Sequence, residues 1–159
     1  MFSFRTMLLP KPILTSVCDP LCDFVESAIH LYLYQRGVYP RCSFSDFSIF
    51  GIQIQFCNNP DVKKYIFDCV ESLRPRLPLI REIRILLKAP DPCATGASEY
   101  LESLALRFER IDEALARKDM LLLQLQEHFA TALIRLNLLE CTYPPIDVEE
   151  RWVDEHAFR

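Results

Sequence analysis

The chain has 159 residues, half of them apolar and a quarter charged, with only 3 Gly. That length buries one real core and leaves little room for two, and so large an apolar fraction excludes disorder as the main state. The formal charge of −4 offers no basic field to a nucleic-acid backbone or an anionic membrane, and no apolar run reaches the roughly 20 residues that span a bilayer.

Residues Met1–Leu14 carry one Arg, a short apolar stretch and two prolines, without a small-residue cleavage pattern. They read poorly as a signal peptide. The seven cysteines (Cys18, Cys22, Cys42, Cys57, Cys69, Cys93, Cys141) are odd in number and scattered, which suits free thiols in an intracellular chain. Residues 1–18 are expected to form an arm, with Ile13–Val17 as a short β segment. Asp19-Pro20 then reads as a helix start, an N-cap followed by proline at the first helical position. Leu21, Phe24, Val25, Ala28 and Tyr32 make one apolar stripe, widened by Cys22, Ile29 and Leu33. A helix Asp19–Arg36 that is apolar around most of its girth is expected to be central and buried. Gly37 suits the C′ position, and Pro40 forbids continuation.

Ile52-Gln53-Ile54-Gln55-Phe56 alternates with period 2, so Ser43–Cys57 reads as a hairpin turning near Phe50-Gly51. Asn59-Pro60 repeats the cap-plus-proline start, and Val62, Tyr65, Ile66, Cys69, Val70 and Leu73 keep helical spacing until Pro75 and Pro78. Arg81–Lys88 reads as a strand with Ile83, Ile85 and Leu87 on one face. Tyr100–Ile111 fits strand or helix, with strand preferred. Asp112–Leu139 is the clearest helix, its stripe formed by Leu122, Leu125, Phe129, Ala132, Leu136 and Leu139. The resulting class is α+β, with helices against one face of a largely antiparallel sheet.

The ingredients of catalysis are thin. His30, His128 and His156 belong to no HExxH, and no Gly-rich phosphate loop, G-x-S-x-G or CxxC pair is present. Cys18 and Cys22 lack a second pair, so neither a metal nor a cofactor is expected. His30 reads as a core histidine bonded to a neighbour rather than a base, since no nucleophile stands beside it. The acidic pairs Glu149-Glu150 and Asp154-Glu155 read as solvated charges. No enzyme is expected.

Leu21–Pro40, LCDFVESAIHLYLYQRGVYP, resembles the first long helix and exit of the HORMA domains. Leu33-Tyr34-Gln35-Arg36-Gly37-Val38-Tyr39-Pro40 looks like the spindle-checkpoint branch. Leu21-Cys22-Asp23-Phe24 and Ala28-Ile29-His30-Leu31 are similar to the branch of non-catalytic accessory subunits of translesion DNA polymerase zeta. Asn59-Pro60, Tyr65-Ile66 and Asp68 look like that branch's second helix. The match spans Leu21 to Leu77, about a third of the chain. His30, Leu33, Tyr34, Arg36, Gly37, Tyr39 and Pro40 mark the fold in this motif more than a site.

The resemblance implies a HORMA-like antiparallel sheet with a β-hairpin and three main helices on one face, in a core of residues 19–139. It implies a non-catalytic adaptor of DNA damage tolerance and repair, linked to the cell cycle, with the nucleus as its location and the cytoplasm as an additional one. Such an adaptor holds an extended peptide by strand addition and locks it with a C-terminal safety belt. The peptide would come from the catalytic subunit of polymerase zeta, with the Rev-one polymerase and shieldin as further partners, and without direct nucleic-acid or membrane contact. A spindle-checkpoint or autophagy adaptor, or an obligate structural subunit, are the alternatives. Tyr65 falls where the family has a ligand-contacting aromatic, and a core tyrosine is the competing reading. Glu127, Thr131 and Arg135 on the long helix, with Trp152, complete the expected partner-binding set. The family's dimerisation arginine falls at Ala130, while Arg135 keeps a nearby basic residue, which leaves self-association open. Only 20 residues follow Leu139, and Pro144-Pro145 interrupts pairing early, so 140–159 is expected to be a shortened belt.

Overall fold

Apolar residues recurring at helical spacing from Leu21 onwards form the buried faces of α1 (Lys11–Gln35) in a computed structural model. The structure describes residues 11–88, 100–108 and 122–141. Leu21, Val25, Ala28, Leu31 and Tyr32 are almost wholly buried, as are Ser27 and His30 on other faces. Burial around the girth makes α1 the axis of the molecule, as expected. Each large apolar side chain so buried contributes about 1.5–3 kcal/mol.

The start of α1 corrects the sequence reading. The helix begins at Lys11, so Ile13–Val17 is helical rather than β, and Pro20 lies inside. Asp19 does not cap; it is exposed and paired with Arg74 beyond the second helix. Proline at an interior position forfeits one i→i−4 bond, costing about 3 kcal/mol. Burial of Cys18, Leu21 and Cys22 on both sides of it offsets that loss.

The other end behaves as read. Gly37 has φ 63, the left-handed conformation that only glycine enters without penalty. Its N–H donates to the Tyr34 carbonyl at 3.1 Å, and the Val38 N–H donates to Leu33 at 3.1 Å. That pair of bonds is a Schellman cap.

β1 (Phe44–Ile49) and β2 (Ile52–Cys57) pair antiparallel from Phe44↔Cys57 to Ile49↔Ile52. The two turn residues, Phe50 and Gly51, both have positive φ, 50 and 76, the signature of the type I′ connection whose twist matches the strands. α2 (Pro60–Leu73) starts at Asn59, whose side chain accepts from the Asp61 and Val62 amides. It passes into a 3-10 turn, Arg74–Leu79. β3 (Glu82–Lys88) and β4 (Tyr100–Arg107) pair antiparallel, with a register shift at Leu87/Lys88. The strand reading of Tyr100 onward therefore holds. α3 (Leu122–Asn137) and a closing 3-10 turn end the described chain. The expected first turns of the long helix, 112–121, lie outside the described residues.

β2, α2, α3 and the Arg74–Leu79 turn all pack on α1. Phe24 stacks on Phe129 at 4.5 Å and meets Phe108 edge-on, joining α1, α3 and the end of β4. Ile83, Ile85, Leu87, Leu104 and Leu106 turn one face of the second ladder onto the same core. The class is α+β with three helices, as expected. Among the described residues the strands form two separate two-stranded ladders rather than one continuous sheet.

Candidate functional site

The exit of α1 carries a layer of buried polar side chains. Tyr32 donates through its hydroxyl to Glu102 Oε1 at 2.7 Å, and Arg36 Nη2 donates to Glu102 Oε2 at 2.6 Å. One carboxylate of β4 therefore ties two positions of α1. Burial, then the bond to Glu102, pushes the Tyr32 phenol well above its ordinary range. Gln35 Nε2 donates to Asn137 Oδ1 at 2.7 Å, fixing the same exit to α3. Sequence reading singled out Arg36 but not Glu102, which lies 66 residues away. Only the fold shows that pairing.

His30 is fully enclosed, as a core histidine was expected to be. Its Nδ1 accepts from the Cys57 N–H at 3.3 Å, and its ring stacks on Phe56 at 3.6 Å. Burial lowers its pKa to about 4, with Lys63 adding to the shift. A neutral acceptor beneath the last residue of β2 is a structural pin. Leu33 packs partly buried against the core. Tyr34 meets Phe44 edge-on at 5.2 Å and accepts a bond from Arg41 at 2.9 Å. Burial raises the Tyr39 phenol, and the Pro40 carbonyl accepts from the Ser43 amide to start the turn into β1. The motif residues thus build the helix exit and the hairpin entry.

The expected partner-binding residues lie on the surface. Tyr65 is 71% exposed, which overturns the core-tyrosine reading. Its phenol is raised by a hydrogen bond with Cys69, one turn on. Glu127, Thr131 and Arg135 are exposed along one face of α3, with the Thr131 hydroxyl donating to the Glu127 carbonyl at 2.9 Å. No hydrogen bond, ion pair or ring contact joins Tyr65 to these three among the described residues. Trp152 lies outside the described residues.

Backbone, not side chains, supplies the remaining element. Each of the four strands has one hydrogen-bonded neighbour among the described residues. In β3–β4 the side chains alternate: Ile83, Ile85, Leu104 and Leu106 face the core, while Arg84, Leu86, Ser103 and Ala105 face out. A ladder pinned to a core on one face, with backbone donors and acceptors at its rim, can add a strand. Among the described residues no group of His, Cys, Asp and Glu is placed to hold a metal, and no helix is long and apolar enough to cross a membrane.

Comparison with known proteins places these features. The mitotic spindle assembly checkpoint protein MAD2B of Homo sapiens is 38% identical over 61 residues, 38% of this chain and 29% of its own length. MAD2B of Danio rerio is 37% identical over 59 residues, covering 37% of this chain and 28% of the relative. MAD2B of Dictyostelium discoideum is 36% identical over 58 residues, covering 36% and 18%. The matched stretch is thus less than a third of the length of these relatives. No family model matches the chain. Among solved structures, a chain in the "Crystal Structure of Mitotic Checkpoint Complex" superposes with a TM-score of 0.62 at 20% identity, over 82% of this chain and 68% of that one. The fold is HORMA-like, and the sequence resembles the MAD2B proteins of that group.

Proposed function

We propose that this chain is a non-catalytic HORMA-type adaptor that captures an extended peptide of a larger protein by strand addition. The observation that carries the reading is the β3–β4 ladder, packed on the core by one face and with an unpaired edge among the described residues. Main-chain bonds along that edge supply affinity, and pockets for alternate side chains supply specificity. Tyr65, Glu127, Thr131 and Arg135 are the exposed residues assigned to the partner contact. The resemblance to the polymerase-zeta accessory branch names the partner class as a peptide of that polymerase's catalytic subunit, with the Rev-one polymerase and shieldin as further partners. The corresponding role is nuclear, in DNA damage tolerance. A spindle-checkpoint role is the second reading, favoured by the name of the MAD2B relatives.

The test is calorimetric titration of the full chain with a peptide from the polymerase-zeta catalytic subunit, and separately with a peptide from a checkpoint partner, followed by hydrogen exchange. Saturable binding with new amide protection along β3 or β4 supports strand addition, and the tighter peptide decides between the two roles. Capture of neither peptide, with binding only to a whole folded partner, would make the chain an obligate structural subunit instead.

A further inference from the structure

The outer face of the β3–β4 ladder is amphipathic, and its charge is one-sided. Its rungs pair Glu82 with Arg107, Arg84 with Ala105 and Leu86 with Ser103, then Lys88 with Tyr100 after the register shift. Along β3, Arg84, Leu86 and Lys88 are exposed and alternate with Ile85 and Leu87, which pack on the core. The order on this face is therefore cation, apolar, cation. Leu86 is 46% exposed, and Leu101, beside the shift on β4, is 40% exposed.

Three cations meet one carboxylate on this face among the described residues. Glu82 is divided between two of them. It accepts from Arg84 Nε through one oxygen and from Arg107 Nε through the other, the latter at 2.8 Å. Those bonds hold its carboxyl below the usual range, so it is an anion already engaged. Lys88 has a ring rather than a carboxylate as its partner, with its ammonium 4.9 Å from the centre of Tyr100. Glu102, the other acid of the ladder, is bonded to Tyr32 and Arg36 on the α1 side.

Charge, spacing and backbone select the occupant. A second copy would set like charges against each other, and the leucines between the cations offer nothing to a phosphate backbone. Arg84 and Lys88 stand about 13 Å apart along the strand, with Leu86 midway. On an α-helix, residues i, i+4 and i+8 share one side at intervals of about 6 Å. A helix also satisfies its own backbone, whereas a strand laid flat on a sheet face leaves its amides unbonded. We propose that this face docks an amphipathic acidic helix of a partner protein, with carboxylates at i and i+8 on Arg84 and Lys88 and an apolar residue at i+4 on Leu86. The contact uses outward side chains and no main-chain edge, so it does not depend on strand addition.

The test is an NMR titration of the full chain with acetyl-Ala-Glu-Ala-Ala-Gln-Leu-Ala-Ala-Leu-Glu-Ala-Gln-Ala-Ala-amide, against the same peptide with both Glu replaced by Lys. The acidic peptide is expected to shift Arg84, Leu86 and Lys88 saturably and to bind roughly tenfold more tightly than the basic one. Lys88→Glu, at an exposed position, should abolish that preference, and Leu86→Ser should weaken both peptides. Equal affinity for the two peptides, or shifts confined to α2, α3 or the β1–β2 hairpin, overturns the proposal. Displacement of the acidic peptide by a DNA duplex overturns it too, as does a shift of Leu86 and Leu101 on concentrating the chain alone, which places a second copy there. If Glu149→Lys with Glu150→Lys strengthens binding of the acidic peptide about tenfold, the face belongs to that segment of the chain, and the assignment to a partner fails.

Discussion

Only the neutral form of His30 fits its site. Its Nδ1 accepts the Cys57 N–H, and a proton there would set two donors against each other. The folded pKa is lowered from 6.5 to about 4, so the unfolded chain takes up a proton first as pH falls. The stability it supports is fully present above about pH 6.5 and is lost progressively towards pH 4, by roughly 3 kcal/mol. Urea unfolding midpoints measured from pH 7 to pH 4 should fall accordingly, and His30→Phe should flatten that slope; an unchanged slope in the variant would place the acid sensitivity elsewhere. Glu102 is the second residue on which much depends, since Tyr32 and Arg36 both lean on it. Glu102→Ala should cost about 1–3 kcal/mol, because it removes the acceptor that Tyr32 and Arg36 share. Glu102→Gln, which still accepts from Tyr32, should cost less. Equal midpoints for the two variants would refute the assignment of the charge. Ala28 has no exposed surface at all, so Ala28→Asp buries an unpaired ion against the whole ~5–15 kcal/mol stability of such a domain. A soluble Ala28→Asp protein with a cooperative melt would contradict the central placement of α1.

At the scale of the element, the β1–β2 turn sets two effects against each other. Phe50 occupies a left-handed backbone conformation at φ 50, which costs a non-glycine residue about 1–2 kcal/mol. Its half-buried ring packs against Phe129 at 5.6 Å, and the burial of that part of the ring offsets the strain. Phe50→Gly should therefore destabilise despite relaxing the backbone. Gly51→Ala should cost about 1 kcal/mol through φ alone, because a Cβ there meets nothing within 4 Å. Thermal melts of the two variants decide the matter: if Phe50→Gly melts above the parent, the ring contact contributes less than the strain. α1 shows the same competition with the opposite reading from sequence. The Asp19-Pro20 pair carries every local mark of a helix start, yet the helix runs through it, because burial on both sides outweighs one lost hydrogen bond.

Across the whole molecule, what was legible in the sequence was whatever a few neighbouring residues decide. Gly37 as a cap, Asn59-Pro60 as a helix start, the Phe50-Gly51 turn and the alternation of Ile83, Ile85 and Leu87 all stand in the structure as read. What was not legible depends on residues brought together across the chain: Glu102 beneath Tyr32 and Arg36, Asn137 against Gln35, the amide of Cys57 on His30, and the continuation of α1 through Pro20. Among the assigned surface residues, Tyr65 was ambiguous in sequence because helical spacing alone does not say which side of a neighbouring helix a position meets. The net charge of −4 leads to a further expectation: the isolated chain should show no tight duplex binding by fluorescence anisotropy at physiological salt, and a strong, steeply salt-dependent signal would count against it. The separation of the two ladders has a mechanical meaning. Sharing no hydrogen bond among the described residues, they are coupled through α1 and the apolar core, the first by the His30 pin and the second by the Glu102 clasp. Opening one should therefore leave the other closed, giving two cooperative units with different exchange free energies. Weakening the clasp should then loosen the β3–β4 ladder while the β1–β2 hairpin keeps its protection, and hydrogen exchange of a Glu102→Gln variant would show the two ladders responding separately.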